Sequence, residues 1–430
     1  MTLLLLACTA SAPDSGPEVD VDTDTDADSD TDADTDADTD IEPWACADWP
    51  EPGGPVHAVD SSMSQDAIQA VFDAAVTGDT VEFADGSYAI EGYGLAVRVD
   101  GLTLRSASRS RTKVVLDGSD GTANVLSVQA SDVVLTELTI QNSWWHPVHI
   151  TPSGEDLAGV VLYDVHVADP GQQAVKVNTD GNGHVVDDGL IACSAITMSA
   201  QGRSRVRDNC YTGGVDAHQA RGWVVRDNTI SGFWCEEGLS EHGVHFWQGS
   251  RDTQVLRNYL IDNARGIGFG LYEVEPDGRT YDDAPCADGA GHYGGRIENN
   301  AMFNGTQPLF DSASGMDGGI ALASACGAEI LHNTVFGIDE PFAAIEYRFS
   351  RSDPLVRNNF TSHKLYPRDA GAYTEEGNLE GATLDDFRTE RLDIVAGSAA
   401  NDAGVAGSTS HDWEGDERSA DTPDVGADER

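Results

Sequence analysis

Positive charge is scarce in this chain. Its 430 residues include 25 Lys and Arg against 74 Asp and Glu, a formal net charge of −49, and no basic residue precedes Arg98. A polyanion of this kind is repelled by nucleic acid and by anionic lipid, which excludes both as partners. Long apolar runs are missing too: the N-terminal stretch Leu3-Leu4-Leu5-Leu6-Ala7 is far too short to span a bilayer. There is no Cys-x-x-Cys pair, so the common zinc-ribbon arrangement is absent and no metal site is expected. Histidine is sparse, with 12 copies, so its clustering carries weight.

What the N-terminus does hold is an apolar run closed by Cys8. Leu5-Leu6-Ala7-Cys8 resembles the bacterial lipobox. The resemblance implies cleavage before Cys8, a lipid on its thiol, and an exported protein that meets the membrane or cell surface through that lipid alone. Residues 9–43 then carry Asp at every second position from Asp20 to Asp40. Such a stretch buries no apolar surface and repels itself, so residues 9–54 are expected to form a disordered tether. It lacks the Gly turn and closing Glu of a calcium loop, and a loosely held Ca²⁺ is the one cofactor left open. With Cys8 set apart, Cys46, Cys193, Cys210, Cys235, Cys286 and Cys326 remain. An even number in an exported chain favours disulfides. Cys193 and Cys210 flank a short polar loop and are the expected first pair.

Order is expected from residue 55 to about 370. The spacing of apolar residues over 64–76 predicts a helix, with Ser64 as its N-cap, and Gly78-Asp79 then turns the chain into a strand. This opening resembles the N-terminal cap of pectin-lyase-like β-helices. Beyond it, a pattern of apolar residue, two variable positions, Asn, one variable position and apolar residue recurs. It occurs around Asn228, Asn258, Asn300, Asn333 and Asn358, at spacings of 30, 42, 33 and 25 residues. Such a repeat predicts stacked coils with a side-chain amide ladder at one bend and loops of unequal length between. Seven short strands share a second pattern: Val148-His149-Ile150, Val175-Lys176-Val177, Val215-Asp216-Ala217, Val244-His245-Phe246, Ile267-Gly268-Phe269, Ile320-Ala321-Leu322 and Ile345-Glu346-Tyr347. Their flanking residues point in and their middle residues out. The fold class is therefore all-β, a right-handed parallel β-helix solenoid. Residues 371–430 read as a C-terminal capping tail.

Coils about 4.8 Å apart turn the middle residues into a column. It runs His149, Lys176, Asp216, His245, Gly268, Ala321, Glu346, beside a second column of Thr151, Asn178, His218, Trp247, Gly270, Ala323 and Arg348. A cation, a carboxylate and imidazoles thus fall on one face, and Gly268 with Gly270 leaves that face a bare floor. Trp144, Trp145, Trp223 and Trp247 lie in the same coils, and exposed indoles suit stacking on sugar rings. His149, His242, Arg251 and Arg265 complete the candidate substrate-binding set.

Gly213-Gly214-Val215-Asp216-Ala217-His218 is similar to the Asp-Pro-His motif of alginate (mannuronan) C5-epimerases, and the similarity extends over roughly residues 170–270. The resemblance implies that His218 is the base, Asp216 its support and Lys176 the neutraliser of the substrate carboxylate, with His245 in the next coil. Ala217 stands in place of the Pro, and Gly213 where the family has a Tyr, with Tyr211 two residues earlier as the candidate acid. The leading expectation is a lyase or C5-epimerase acting on an acidic, uronate-containing polysaccharide, working as a monomer. A non-catalytic surface β-helix that binds glycans is the first alternative. A glycoside hydrolase is the second, and it needs paired carboxylates. Asp216 has no acidic neighbour in adjacent coils of either column, which leaves Glu241 and Asp252 in the turns.

Overall fold

The computed structural model describes residues 46–207, 209–275, 277–407 and 409–430. Cys8 and the acidic stretch 9–43 lie outside the described residues. The first helix runs Gln65–Ala74, and the Ser64 hydroxyl accepts from the Ala67 amide at 3.2 Å. Ile68 and Phe72, one turn apart, are its buried residues, and Phe72 meets Phe83 of the first coil edge-on at 6.3 Å. The helix covers the apolar end that a solenoid otherwise leaves open.

From Val56 onward the chain winds through three parallel sheets. One runs as twelve strands from Val56–Val59 to Thr374–Glu376. The second runs from Gly86–Ala89 to Leu379–Glu380, and the third from Leu95–Val97 to Leu365–Arg368. The long strands Val114–Val128 and Thr139–Ile150 bend through both of the latter. The chain is a right-handed parallel β-helix. The seven strands expected from the sequence stack in the third sheet in the expected register. Val148, Val175, Val215, Val244, Ile267, Ile320 and Ile345 are direct partners from coil to coil, and each is fully buried.

At the bend between the first two sheets, successive coils place one residue in the left-handed region. Asp227 (φ 56°), Arg257 (52°), Asn299 (55°), His332 (50°) and Asn358 (55°) occupy it. A non-Gly residue there costs roughly 1–2 kcal/mol, and the amide that follows it offsets the strain. Asn228, Asn258, Asn300, Asn333 and Asn359 each donate a side-chain hydrogen bond of 2.9–3.0 Å to the next, and Asn378 accepts the last. The fifth rung is therefore Asn359, not Asn358. Pairing of Ile330 with Val356 sets the register, and Asn358 takes the strained bend position instead.

Three disulfides link Cys46 to Cys193, Cys210 to Cys235 and Cys286 to Cys326. The expected Cys193–Cys210 pair does not form. Cys193 sits at the first bend, where the Cys46–Trp49 strap packs against Tyr163, while Cys210 lies in the loop that enters the third sheet. The segment after Leu384 runs along the flank of the second sheet. Phe387, Leu392, Ile394, Trp413 and Val425 pack on Tyr259, Phe303, Phe336 and Phe360. Buried Arg418 donates to Asn299 Oδ1 at 2.9 Å and pairs with Glu429 at 3.1 Å.

Candidate functional site

The strand Gly213–His218 carries the centre of the site, between Gln173–Val177 and Val244–Trp247. Direct pairing joins His149 to Lys176, Lys176 to Asp216, and Asp216 to His245, so these four stand in one column as expected, and His218 is paired with Trp247 beside them. The first column is not an open face, however. The side chains of Lys176, Asp216 and His245 are 5%, 2% and 1% exposed. Trp247 covers them: its indole stacks on His245 at 5.4 Å with an interplanar angle of 2°, and its Nε1 donates to Asp216 Oδ1 at 2.8 Å.

The glycines do not leave a bare floor either. A Cβ on Gly268 would lie 2.7 Å from His242 Nε2, so the missing side chain makes room for the His242 ring. Gly270 (φ 72°) turns its carbonyl to accept from His245 Nε2 at 3.0 Å. Two walls flank the column. Before the strands, Cys210–Cys235 ties together the loops that carry Tyr211 and Glu241. After them, the insertion between Phe269 and His292 folds back across earlier coils. There Arg279 pairs with Asp187 at 2.7 Å, Tyr281 donates to Gly249 O at 3.0 Å, and Tyr272 stands 6.0 Å from Trp247.

Within the site, Lys176 Nζ pairs with Asp216 Oδ2 and stands 2.8 Å from His218 Nε2. Burial pushes the Asp216 carboxyl up, but Lys176, His218 and His245 outweigh it and hold it well below the usual range. Burial lowers His218, and Lys176 adds to that, against the opposing pull of Asp216. His218 is therefore a neutral imidazole at neutral pH, and with 17% of its side chain exposed it is the reachable member of the group. Burial, then Asp216 and Glu241, raises the Tyr211 phenol, which stays protonated. His149 is lowered to about 4 by burial and then Lys176, its ring nitrogens 3.3 and 3.2 Å from the amides of Asn124 and Asn178.

Other candidate residues separate. Trp223 is fully buried, with Nε1 donating to Val186 O, so it is core and not a sugar platform. Gly189 in the preceding coil makes its space, since a Cβ there would lie 2.5 Å from the indole. His242 is 3% exposed, which removes it from direct contact with a polymer. Arg265 pairs with Asp317 at 2.7 Å and Arg251 with Asp283 at 2.6 Å, so both guanidinium groups are already engaged. Trp144 and Trp145 are 42% and 41% exposed. Arg207, which sequence reasoning missed, lies over the Trp144 ring at 3.5 Å. Tyr272 was missed as well, although its place just after Gly270 at the coil's exit was a usable signal.

No family model matches this sequence, and no curated protein matches it. Among solved structures, it is similar to an alginate lyase from Paenibacillus sp. str. FPU-7, at 15% identity and a TM-score of 0.51 over 75% of this chain and 99% of that one. It is similar also to pectate lyase Pel9A, at 13% identity and a TM-score of 0.53 over 88% of this chain and 96% of that one. At such identities the likeness is one of fold, and by that likeness the chain is a parallel β-helix protein.

Proposed function

We propose that this protein is an exported enzyme that removes the C5 proton of a uronate unit in an acidic polysaccharide, as an epimerase or a lyase. The observation that carries the reading is the placement of Lys176 Nζ between the Asp216 carboxylate and the His218 imidazole. Three disulfides suit an oxidising compartment, and a lipid on Cys8 would hold the protein at the cell surface.

In this reading the substrate carboxylate arrives beside the exposed edge of His218, and Trp247 yields so that the Lys176 ammonium turns from His218 Nε2 to meet it, which frees that nitrogen. His218 takes the C5 proton, and the electron pair of the broken C–H bond moves onto the substrate carboxylate, whose growing charge Lys176 offsets. Asp216 keeps its charge throughout and fixes Lys176. Return of a proton from the Tyr211 phenol to the other face of C5 gives the epimer. Expulsion of the 4-linked sugar oxygen, protonated by Tyr211, gives the lyase product. Trp144, Trp145 and Arg207 would hold neighbouring units of the polymer.

The test is a panel of alginate, pectate and glucuronan. Lyase products are read by ultraviolet absorbance, and epimerisation by deuterium uptake at C5. Turnover of one polymer that disappears with His218→Ala supports the reading. Silence in both assays, with polymer binding that Trp144→Ala or Trp145→Ala removes, establishes a glycan-binding surface instead. The exposure of those two indoles is what favours that second reading.

A further inference from the structure

Beneath Trp247 lies a group of side chains for which the proton-abstraction reading has no use. Glu241 Oε2 stands 3.4 Å from His245 Nδ1 and 3.9 Å from His242 Nδ1. One donor atom from each of the three residues lies within 4.8 Å of the other two. Among the described residues, Glu241 Oε2, both nitrogens of His242 and Nδ1 of His245 are buried without a hydrogen-bond partner. Buried polar atoms left unpaired cost about 1–3 kcal/mol each, and four in one place demand a reason.

The tautomer of His245 sharpens the point. Its Nε2 faces the Gly270 carbonyl at 3.0 Å, and a carbonyl only accepts, so Nε2 carries the proton. In the neutral ring Nδ1 then presents a lone pair, and what it faces is a carboxylate oxygen at 3.4 Å, with Asp216 Oδ1 at 4.0 Å behind. Two acceptors face each other across that gap. A cation between them turns the repulsion into ligation.

We propose that Glu241, His242 and His245 form a binding site for a first-row divalent transition-metal ion, with Zn²⁺ as the reference ligand. Bonds of 2.0–2.2 Å in tetrahedral geometry set donors about 3.4 Å apart. Glu241 and His245 already meet that spacing, and His242 Nδ1 comes to it from Glu241 by closing about half an ångström, with its donor atom within 4.8 Å of that of His245. Gly268, lacking a side chain, lets the His242 ring lie in this position. The Gly270 carbonyl on the far nitrogen of His245 is the outer contact that commonly orients a ligating imidazole. Two imidazoles and one carboxylate favour zinc-like ions over Ca²⁺ or Mg²⁺, which take oxygen donors. The ion would enter past Glu241, whose side chain is 19% exposed and the most open of the three. The site goes beyond the proposed reaction and does not depend on it.

The test uses the full chain, stripped with chelator, dialysed against Zn²⁺ and then against metal-free buffer, with retained metal measured by mass spectrometry. One equivalent of zinc retained, and a zinc-dependent rise in melting temperature, are expected. Loading with Co²⁺ should give the intense visible absorption of a four-coordinate nitrogen-ligated ion. The carboxylate group Asp393, Glu414 and Asp428 or an acidic surface would give only a pale oxygen-ligated spectrum. His242→Ala and Glu241→Gln should each weaken retention at least about a hundredfold. Should His242→Ala fail to fold, Glu241→Gln, which keeps the shape of the side chain, decides. No retention by the wild type, or equal retention by a folded Glu241→Gln, overturns the proposal and leaves a proton as the cation on His245.

Discussion

Lys176 and His218 lie 42 residues apart in the chain, yet Nζ of one stands 2.8 Å from Nε2 of the other. Adjacent coils make the contact. Because Asp216 takes the same ammonium, the lysine is the shared centre of a group of three, of which only His218 reaches the surface. Its removal has two consequences that need to be measured apart.

The first is structural. Lys176→Met strands the Asp216 carboxylate in a site where that side chain is 2% exposed. Loss of one partner of a buried pair should cost about 3–5 kcal/mol in a urea unfolding curve. The double variant Lys176→Met/Asp216→Leu should recover most of that. No recovery would mean that the pair is not the source of the loss.

The second is chemical, and His218 isolates it. His218→Ala leaves the Lys176–Asp216 pair intact, so the melting temperature should shift little. Turnover of a uronate polymer should fall by about two to four orders of magnitude, the range for a general base. Polymer affinity, measured by retention on an affinity gel, should change by much less.

The acid limb of the wild-type rate should also lie below the ordinary histidine range. Burial and Lys176 lower the His218 value, so the neutral, basic form persists at pH values where a solvated imidazole is charged. A profile of kcat/KM against pH whose acid limb falls above about 6.5 contradicts this assignment.

Stability should follow acidity as well. Burial, with His149 adding to it, lowers His146 to about 3, and burial lowers His292 to about 3. The unfolded chain binds protons at these sites near pH 6.5 while the folded chain refuses them, so stability drops as pH falls below that value. At pH 5 each contributes a loss of roughly 2 kcal/mol. Melting curves between pH 8 and pH 4 should show a plateau and then a decline beginning near pH 6.5.

Asn258→Ala should break the amide ladder at its second rung. The Asn228 backbone N–H loses its acceptor and the Val225 carbonyl its side-chain donor, both inside the coil. The expected loss is about 2–4 kcal/mol, from two unpaired buried groups. Asn358→Ala, one position off the ladder's line, should leave the rungs on either side intact in amide hydrogen exchange.

The coil was legible in the sequence because its strands alternate apolar and polar residues. That alternation alone put Lys176, Asp216 and His245 in one line and His218 beside Trp247. The cover over the line was not legible. It comes from Trp247 folding back, from His242 using the space at Gly268, and from an insertion in the 42-residue gap between Asn258 and Asn300. Periodicity marks where an insertion leaves the coil but not where it returns. Trp223 was misplaced because its partner in the preceding coil, Gly189, falls outside every repeat that the eye follows. The disulfides failed for a related reason. Cys46 and Cys193 are 147 residues apart, and only the completed stack brings them together.

The same disulfide settles where mechanical load enters the molecule. Tension applied to the chain ahead of Cys46 passes through the sulfur bridge into the bend at Cys193, in the middle of the solenoid. The helix Gln65–Ala74 and the first coils lie inside the closed loop between the two cysteines, off the line of force. A shear or a pull at the N-terminal end therefore cannot peel the end cap away coil by coil. It must first disturb the stack near Ser194, or reduce the bridge.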